Sequence, residues 1–500
     1  MKILSPKQIQ EADKATIKNF PISSADLMEK AASKCYDWII DKFPDPSQPI
    51  HVCCGMGNNG GDGLVISRFL LKQGFQVNVY LICFSESRSD DFKLNLKRLT
   101  DMKARIKEIR QLSDFPVIGE KELVIDAIFG IGLKRPPAGF TKDFIQYINT
   151  RCPTVIAIDI PSGLFAQSFV KDKESVVKSK YILTFQCPKL AFLLPDHQHF
   201  IENWKILDIE LDKNYLESTK ADYYWIDHNF IADFFKKRQR FSHKGTFGHS
   251  LIIGGSYGKV GAVILASKAA LKAGSGLVSA YIPKCGYTAM QSHNPEIMVE
   301  VDDDKYLQFF NVKTKPDVIG IGPGLGTHSK TKKGFVEFVL QCKLPIVVDA
   351  DGLNIISEFK DLLDIVPKDA ILTPHPKEFE RLVGSWSDDY EKLKKQIDLS
   401  SQLQCVVVLK GAYTSIAYRG KIFFNATGNP GLATAGSGDV LTGILCGLLA
   451  QGYTSLQAAI LGVYIHGRAA DLGISSFESV ESLTASDCIR YLGKVFQEFD

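Results

Sequence analysis

Cys54 to Phe69 reads CGMGNNGGDGLVISRF, with Asn58, Asn59 and Asp62 set among glycines. Glycines alone let a backbone approach a pyrophosphate, so the two amides and the carboxyl imply a second task. Gly55 to Gly60 satisfies GxGxxG between a predicted strand and a helix predicted to start near Asp62, with Glu86 near the end of the next strand, the setting of a dinucleotide fold. A carboxylate beside a pyrophosphate is unfavourable unless it touches another part of the ligand or a cation lies between them. Two more predicted strands end in chemistry: Asp126 precedes AIFGIGLKRPPAG, and Asp159 precedes IPSG. In a doubly wound sheet these loops meet at the carboxyl edge. There Asn59, Asp126 and Ser162 either converge as oxygen ligands of a hard cation, or each aspartate caps its own loop. Arg135 can balance phosphate charge in the same crevice.

The second half carries a different set. In TAGSGDVLTG, Thr434 to Gly443, the residues Gly436, Ser437 and Gly438 stand ahead of an apolar helix with Asp439 in its first turn. Backbone amides there form an anion hole with a base beside it, which suits phosphoryl transfer to or from a hydroxyl; the plain alternative is a glycine turn with Asp439 as helix cap. No GxxxxGK[ST] occurs, which argues against Walker-type ATPase chemistry. KGAYTS from Lys410, GPGLG from Gly322 and TPHP from Thr373 each follow a predicted strand and can line one crevice, with His375 held between two prolines. DADG, Asp349 to Gly352, partly mimics a calcium loop, but a strand precedes it, so it reads as a neighbour of nucleotide or magnesium.

Elements that position these residues follow from pattern. Ser5, Pro6 and Gln8 predict a capped first helix, and Leu27, Met28, Ala31, Cys35, Trp38 and Ile39 share one face of a second. Short apolar strands then alternate with helices: IHVCC, VNVYLIC, LVIDAIF, TVIAIDI and YILTF, and later HSLIIGG, LVSAYIP, DVIGIG, PIVVDAD, AILTPHP and VVVLKG. Alternation of this kind predicts two α/β domains with parallel sheets, separated by the polar stretch around Asp208 to Tyr223. Lys and Arg number 59 against 56 Asp and Glu, a net charge of +3 that argues against an obligate nucleic-acid or membrane-surface partner. KKRQR, Lys236 to Arg240, reads as a solvated helix end beside a linker. VLTGILCGLLA, Val440 to Ala450, falls short of the roughly 20 residues that span a bilayer and reads as a buried helix. An N-terminus without an apolar signal core, and eleven cysteines without paired CxxC sets, indicate reduced thiols in the cytoplasm.

GNNGGDGL, DAIFGIGLKRP, IDIPSG and TFQCPK, in this order, resemble the NAD(P)H-hydrate epimerase domain over residues 1–215. GGSYGKVGA, GPGLG, DADGLN, TPHP, KGAYT and AGSGD resemble the ADP-dependent NAD(P)H-hydrate dehydratase over residues 225–500. The pair is similar to the bifunctional NAD(P)H-hydrate repair enzymes, which implies a Rossmann-like domain followed by a ribokinase-like one. It also implies interconversion of R and S hydrates of NADH and NADPH in the first, and nucleotide-dependent dehydration of the S hydrate in the second. Site residues implied for the epimerase are Asn58, Asn59, Gly60, Gly61 and Asp62, then Gly130, Ile131, Gly132, Leu133, Lys134, Arg135 and Pro136, with Asp159 as substrate contact and proton-transfer residue. Potassium is implied on Asn59, Asp126 and Ser162. For the dehydratase, Ala262, Gly324, His375 and Asp439 are implied to contact the hydrate, with Asp439 as base, and Lys410, Gly411, Ala412, Tyr413, Thr414 and Gly438 to contact ADP or ATP with Mg2+. A homo-oligomer is implied as well. The competing reading is a ribokinase-like hydroxymethyl kinase fused to a non-catalytic Rossmann-like scaffold. The chain departs from the family in LFAQS after IPSG and in Lys377 of TPHPKE.

Overall fold

Ser5 Oγ accepts from the Gln8 amide at 3.2 Å and Gln8 Oε1 accepts from the Ser5 amide at 2.9 Å, so the predicted capping box starts the first helix. The computed structural model describes residues 1–499 apart from 153, 360–362, 364 and 365. The chain divides into two compact units, one of Lys2–Ala221 with residues 388–390, the other of Met1, Asp222–Ser387 and Glu391–Asp500.

The first unit runs β1 (Lys2–Ile3), α1 (Pro6–Asn19), α2 (Ser24–Lys42), β2 (Ile50–Cys54), α3 (Asn58–Lys72), β3 (Val77–Ile82), α4 (Asp90–Asp101) and β4 (Ile106–Ile109). It continues through β5 (Leu123–Ala127), α5 (Phe140–Arg151), β6 (Val155–Ile158), β7 (Ser179–Phe185), β8 (Ile201–Leu207) and α6 (Lys213–Ser218). Strands β2 to β8 form one parallel sheet in the order β4-β3-β2-β5-β6-β7-β8. Strand order reverses between β2 and β5, where Cys53 pairs with Asp126, so the loops after these two strands open side by side. The predicted apolar strands are all present. β4 and β8 were not predicted, because as edge strands they carry exposed polar residues and lack an apolar run.

In the second unit come β9 (Tyr223–Ile226), α7 (His228–Ala232), β10 (His249–Ile253), α8 (Val260–Lys272), β11 (Leu277–Ile282), α9 (Tyr287–His293), β12 (Met298–Val301), β13 (Val318–Ile321) and α10 (Ser329–Gln341). Then follow β14 (Ile346–Val348), α11 (Asp351–Glu358), β15 (Ile371–Leu372), α12 (Pro376–Val383), α13 (Asp389–Leu403), β16 (Val406–Leu409), β17 (Ser415–Tyr418), β18 (Lys421–Asn425), α14 (Ser437–Ala450), α15 (Ser455–Ser476) and α16 (Ala485–Gln497). Its strands lie in the order β9-β18-β17-β16-β15-β14-β13-β10-β11-β12, parallel except for the β16-β17-β18 meander. Order reverses again, between β10 and β13.

The Val440–Ala450 run lies in α14 and is buried against α8, with Ile444 and Leu445 in one core with Val263 and Ala266. Among the described residues no helix is long and apolar enough to cross a membrane. KKRQR is solvent-exposed, as read, but is not a helix end. It lies beyond the end of α7, where Lys236 Nζ donates to Gly452 O at 2.8 Å and the Arg238 guanidinium stacks 3.8 Å from the Phe247 ring centroid, so cation–π contacts fix it to the surface.

Gly443 sets the α8–α14 approach: a Cβ there would overlap the Ala266 carbonyl oxygen and stand 2.8 Å from Ala269 Cβ. Gly443→Ala is expected to cost about 1–3 kcal/mol in chemical denaturation through overpacking. Gly493→Ala on α16, where a Cβ meets nothing within 4 Å, is expected to stabilise by about 0.8–1 kcal/mol through helix propensity alone. Equal effects would contradict this packing.

Candidate active sites

Helix α3 begins at Asn58 with Gly57 as N-cap and no side-chain cap, four positions before the predicted start at Asp62. Asn58, Asn59, Gly60, Gly61 and Asp62 are therefore its opening residues, not a loop. Glycine is required here by close approach. A Cβ on Gly60 would overlap the Gly55 carbonyl oxygen, and one on Gly63 would stand 2.7 Å from Ala127 Cβ. The uncapped amides face the carboxyl edge of the sheet, a ready anion site. Glu86 lies in the loop beyond β3, exposed and 3.5 Å from Arg110.

Asp126, at the end of β5, is fully buried. Its Oδ2 accepts from the Ser162 amide at 2.8 Å, and its Oδ1 accepts from Ser162 Oγ at 2.6 Å and from the Ile128 amide at 3.2 Å. It thus caps its own loop and also ties that loop to IPSG, and Ser162 Oγ in turn accepts from the Phe129 amide at 2.8 Å. Burial pushes Asp126 up to about 6 against these hydrogen bonds. Asn59 joins through Gly130, whose added Cβ would lie 3.6 Å from Asn59 Oδ1. The buried Asn59 Nδ2 has no hydrogen-bond partner among the described residues. Gly132, Lys134, Arg135 and Pro136 are exposed, with Ile131 and Leu133 half-buried beside them.

Asp159 follows β6 in the left-handed region, φ 65°, its amide donating to Leu183 O at 2.7 Å. Its Oδ1 accepts from the Phe185 amide at 3.2 Å, from Thr184 Oγ1 at 3.3 Å and from Lys189 Nζ at 2.9 Å. The Lys189 side chain is 1% exposed and that of Asp159 10%. Removing one member of such a buried pair strands the other, at a cost of about 3–5 kcal/mol. Two further carboxyls share the field. Burial, then the Asp159 charge, push Asp13 of α1 up to about 6 and hold Asp62 well above the carboxylate range. Asp13 lies in no motif and was missed; Lys189 stood in TFQCPK without a role.

In the second unit α14 begins at Ser437, after Gly436 as a left-handed N-cap at φ 86°, so Ser437 and Gly438 are helical residues rather than a preceding loop. Lys410 Nζ donates to Asp349 Oδ1 at 2.8 Å, and Thr442 Oγ1 donates to Asp349 Oδ2 at 2.8 Å. Gly438 sits on this pair: a Cβ there would lie 3.3 Å from Lys410 Nζ and 3.6 Å from Asp349 Oδ2. Burial acts to lower the Lys410 ammonium, but Asp349, Glu378 and Asp439 hold it above its ordinary value. Asp439 is pushed up to about 7 by burial and by Asp349, with Lys410 opposing.

His375 is not simply held in a loop. It caps α12, its Nδ1 accepting from the Lys377 and Glu378 amides at 3.1 and 3.3 Å, and burial with the Lys410 charge lowers it. Ala262 meets Gly324, whose Cβ would lie 3.2 Å from Ala262 Cβ. Ser256 Oγ donates to Gly324 O at 2.9 Å and the Gly326 amide donates to Asp351 Oδ2 at 2.8 Å, so GGSYG, GPGLG and DADG share one rim. Gly411 and Ala412 are exposed in the β16–β17 turn, Thr414 Oγ1 donates to Gly411 O at 3.1 Å, and the Tyr413 ring lies 5.8 Å from that of Trp225. Sequence reading missed Thr442 and His466. The latter is buried on α15, its Nε2 3.3 Å from Ser437 Oγ, and burial pushes it down to about 4, so it stays neutral.

Two α/β sheets, one parallel and one mostly so, each with a carboxylate–lysine pair at a carboxyl edge beside an uncapped helix start, define an enzyme with two sites. Residues 250–492 match the family described as NAD(P)H-hydrate dehydratase, and residues 24–191 match the YjeF-related protein N-terminus. The bifunctional NAD(P)H-hydrate repair enzyme of Moorella thermoacetica is 32% identical, covering 100% of this chain and 97% of its own. That of Coxiella burnetii is 33% identical over 93% of each. A ribokinase-like superfamily protein from Enterococcus faecalis superposes with a TM-score of 0.50 at 25% identity, covering 56% of this chain and 98% of its own. The chain belongs to the bifunctional NAD(P)H-hydrate repair enzymes.

Because Asp349 raises Asp439, carboxyl-carbon NMR is expected to show Asp439 titrating near 7 and moving to lower pH in Asp349→Asn, where that charge is absent. An unchanged midpoint would contradict the coupling.

Proposed function

We propose that the Lys2–Ala221 unit interconverts the R and S hydrates of NADH and NADPH, and that the second unit dehydrates the S hydrate with ADP or ATP, releasing AMP and phosphate when ADP is used. The observation that carries this is the paired design: Asp159 on Lys189 at 2.9 Å in one crevice, and Asp439 beside the Lys410–Asp349 pair, itself 2.8 Å, in the other. Inversion at the hydroxylated carbon needs a group that takes and returns a proton, and Asp159 is that group. The α3 amides receive the diphosphate, with Arg135 and Lys134 on the exposed rim adding positive charge.

Dehydration is harder because hydroxide leaves poorly. Asp439 takes the hydroxyl proton as the oxygen bonds to the terminal phosphorus of the nucleotide and the bond to the departing nucleotide breaks. Phosphate then leaves with the C–O bond electrons, a proton is lost from the neighbouring carbon, and the ring double bond returns. Lys410 and the Gly438 amide hold phosphate oxygens, while Ala262, Gly324 and His375 face the hydrate.

Potassium suits Asn59, Asp126 and Ser162. Asp126 is a buried carboxylate with hydrogen bonds but no cationic partner among the described residues, and the Asn59 amide is unsatisfied. The ion would supply the missing positive charge there. Magnesium suits a site with few protein ligands: no group of three His, Cys, Asp or Glu that could hold a metal occurs among the described residues, so the nucleotide phosphates would carry it, near Asp439 and Asp351. It would neutralise phosphate charge. The thiols suit the reducing cytoplasm, and we read the chain as a homo-oligomer there.

Asp159→Asn is expected to slow R-to-S conversion by about 10²–10⁴-fold while leaving dehydration of purified S hydrate intact, and Asp439→Asn to do the reverse. Product identity decides against a kinase: restored NADH absorbance is expected, not a stable phosphorylated alcohol. Since Asp439 acts ionised, dehydration should rise with pH through about 7. A profile flat across that range would contradict its role. Replacing potassium by tetramethylammonium is expected to depress epimerisation only; equal epimerisation in both salts would remove potassium from the site.

A further inference from the structure

We propose that Lys189 is the positioning residue of the epimerase site: it pins one oxygen of Asp159 and so presents the other, Oδ2, for proton transfer. This rests on the reading that Asp159 performs the transfer. An ammonium has three N–H donors, and Lys189 Nζ has three acceptors, Asp159 Oδ1 at 2.9 Å, Phe185 O at 3.0 Å and Cys187 O at 3.2 Å. The group is saturated and buried, so it neither swings toward a ligand nor gives up a proton without leaving an acceptor unmade. It is fixed by the carboxyl end of β7, the strand beside β6 that carries Asp159.

The carboxylate is constrained from the other side too. Its Oδ1 also accepts from the Phe185 amide and Thr184 Oγ1, and its backbone is locked in a left-handed conformation by the amide bond to Leu183 O. Among the described residues no hydrogen bond reaches Oδ2. One oxygen is a fixed hinge and the other is left for substrate.

The charged and titratable groups around Asp159 are Asp13 from α1, Asp62 from α3, Lys189 after β7, and the buried thiols Cys35 of α2 and Cys187. Three carboxyls thus surround one ammonium, and among the described residues only Asp159 touches it. Asp62 and Asp13 are driven toward their neutral forms by burial and by the Asp159 charge. Without Lys189 the Asp159 carboxylate would keep its acidic neighbours and lose the counter-charge in contact with it.

The test uses the full chain, with dehydration of purified S hydrate by the other unit as the control for intact protein. Lys189→Met is expected to lower kcat for R-to-S conversion by about 10²-fold with little change in KM, as misplacement of a catalytic group does, and to move the acid limb of the epimerisation profile to higher pH. Lys189→Arg keeps the charge but not the three-acceptor geometry, so kcat should fall while the acid limb stays. A wild-type kcat and profile in Lys189→Met overturns the inference; if that variant does not fold, a wild-type kcat in Lys189→Arg overturns it. Asp159→Asn run in parallel separates the two readings. Full epimerisation in Asp159→Asn sinks the role of Asp159 itself, whereas an inactive Asp159→Asn beside a wild-type Lys189→Met sinks only that of Lys189.

Discussion

A carboxylate at the buried end of a parallel strand persists as a charge only when something positive or hydrogen-bonding meets it, and both units are organised around that constraint. Asp159 meets it with Lys189, and Asp349 with Lys410 and Thr442. Asp126 meets it with three hydrogen bonds and, among the described residues, no cation, and burial holds it up near 6 against those bonds. Loop paths follow from these bonds. The IPSG loop lies where Ser162 can reach Asp126, and DADG where Asp349 can reach Lys410.

The two units solve a shared problem with different topologies. In the first, the order reversal between β2 and β5 sets the glycine-rich start of α3 beside Asp126, while Asp159 comes from β6. In the second, β10 and β13 reverse, and Asp439, the base we propose, comes from a helix start rather than from a strand end. Environment then divides the carboxylates by task. Asp349 is fully engaged and serves as scaffold; Asp439, raised to about 7, stands poised between its two protonation states at neutral pH. Joining the two sites in one chain makes chemical sense if dehydration accepts one hand of the hydrate, because the other hand must then be converted.

Much of this was legible in the sequence because apolar strands and glycine-rich turns have strong local signals. IHVCC, LVIDA and VIAI became central parallel strands, and the residues following them line the crevices. The start of α3 was misplaced because three glycines and two asparagines are poor helix formers, yet the Gly55 backbone leaves no room for a side chain at Gly60, nor strands β2 and β5 at Gly63, so tertiary contact overrides propensity. Edge strands β4, β8 and β12 escaped because half their surface is solvent. Asp13 and His466 escaped for another reason. Each occupies an ordinary position on a helix, and only the fold reveals what it faces. Lys189 was visible as a motif residue, but no spacing rule says that its ammonium returns to Asp159.

The most direct measurement is a progress curve on mixed R and S hydrates of NADH with one equivalent of ADP per hydrate, potassium and magnesium, over a time short against uncatalysed interconversion. Two cooperating sites predict that absorbance climbs until the whole hydrate pool is recovered as NADH, with one AMP and one phosphate per molecule restored. A plateau at the initial S fraction would contradict the claim that both crevices act on the damaged cofactor.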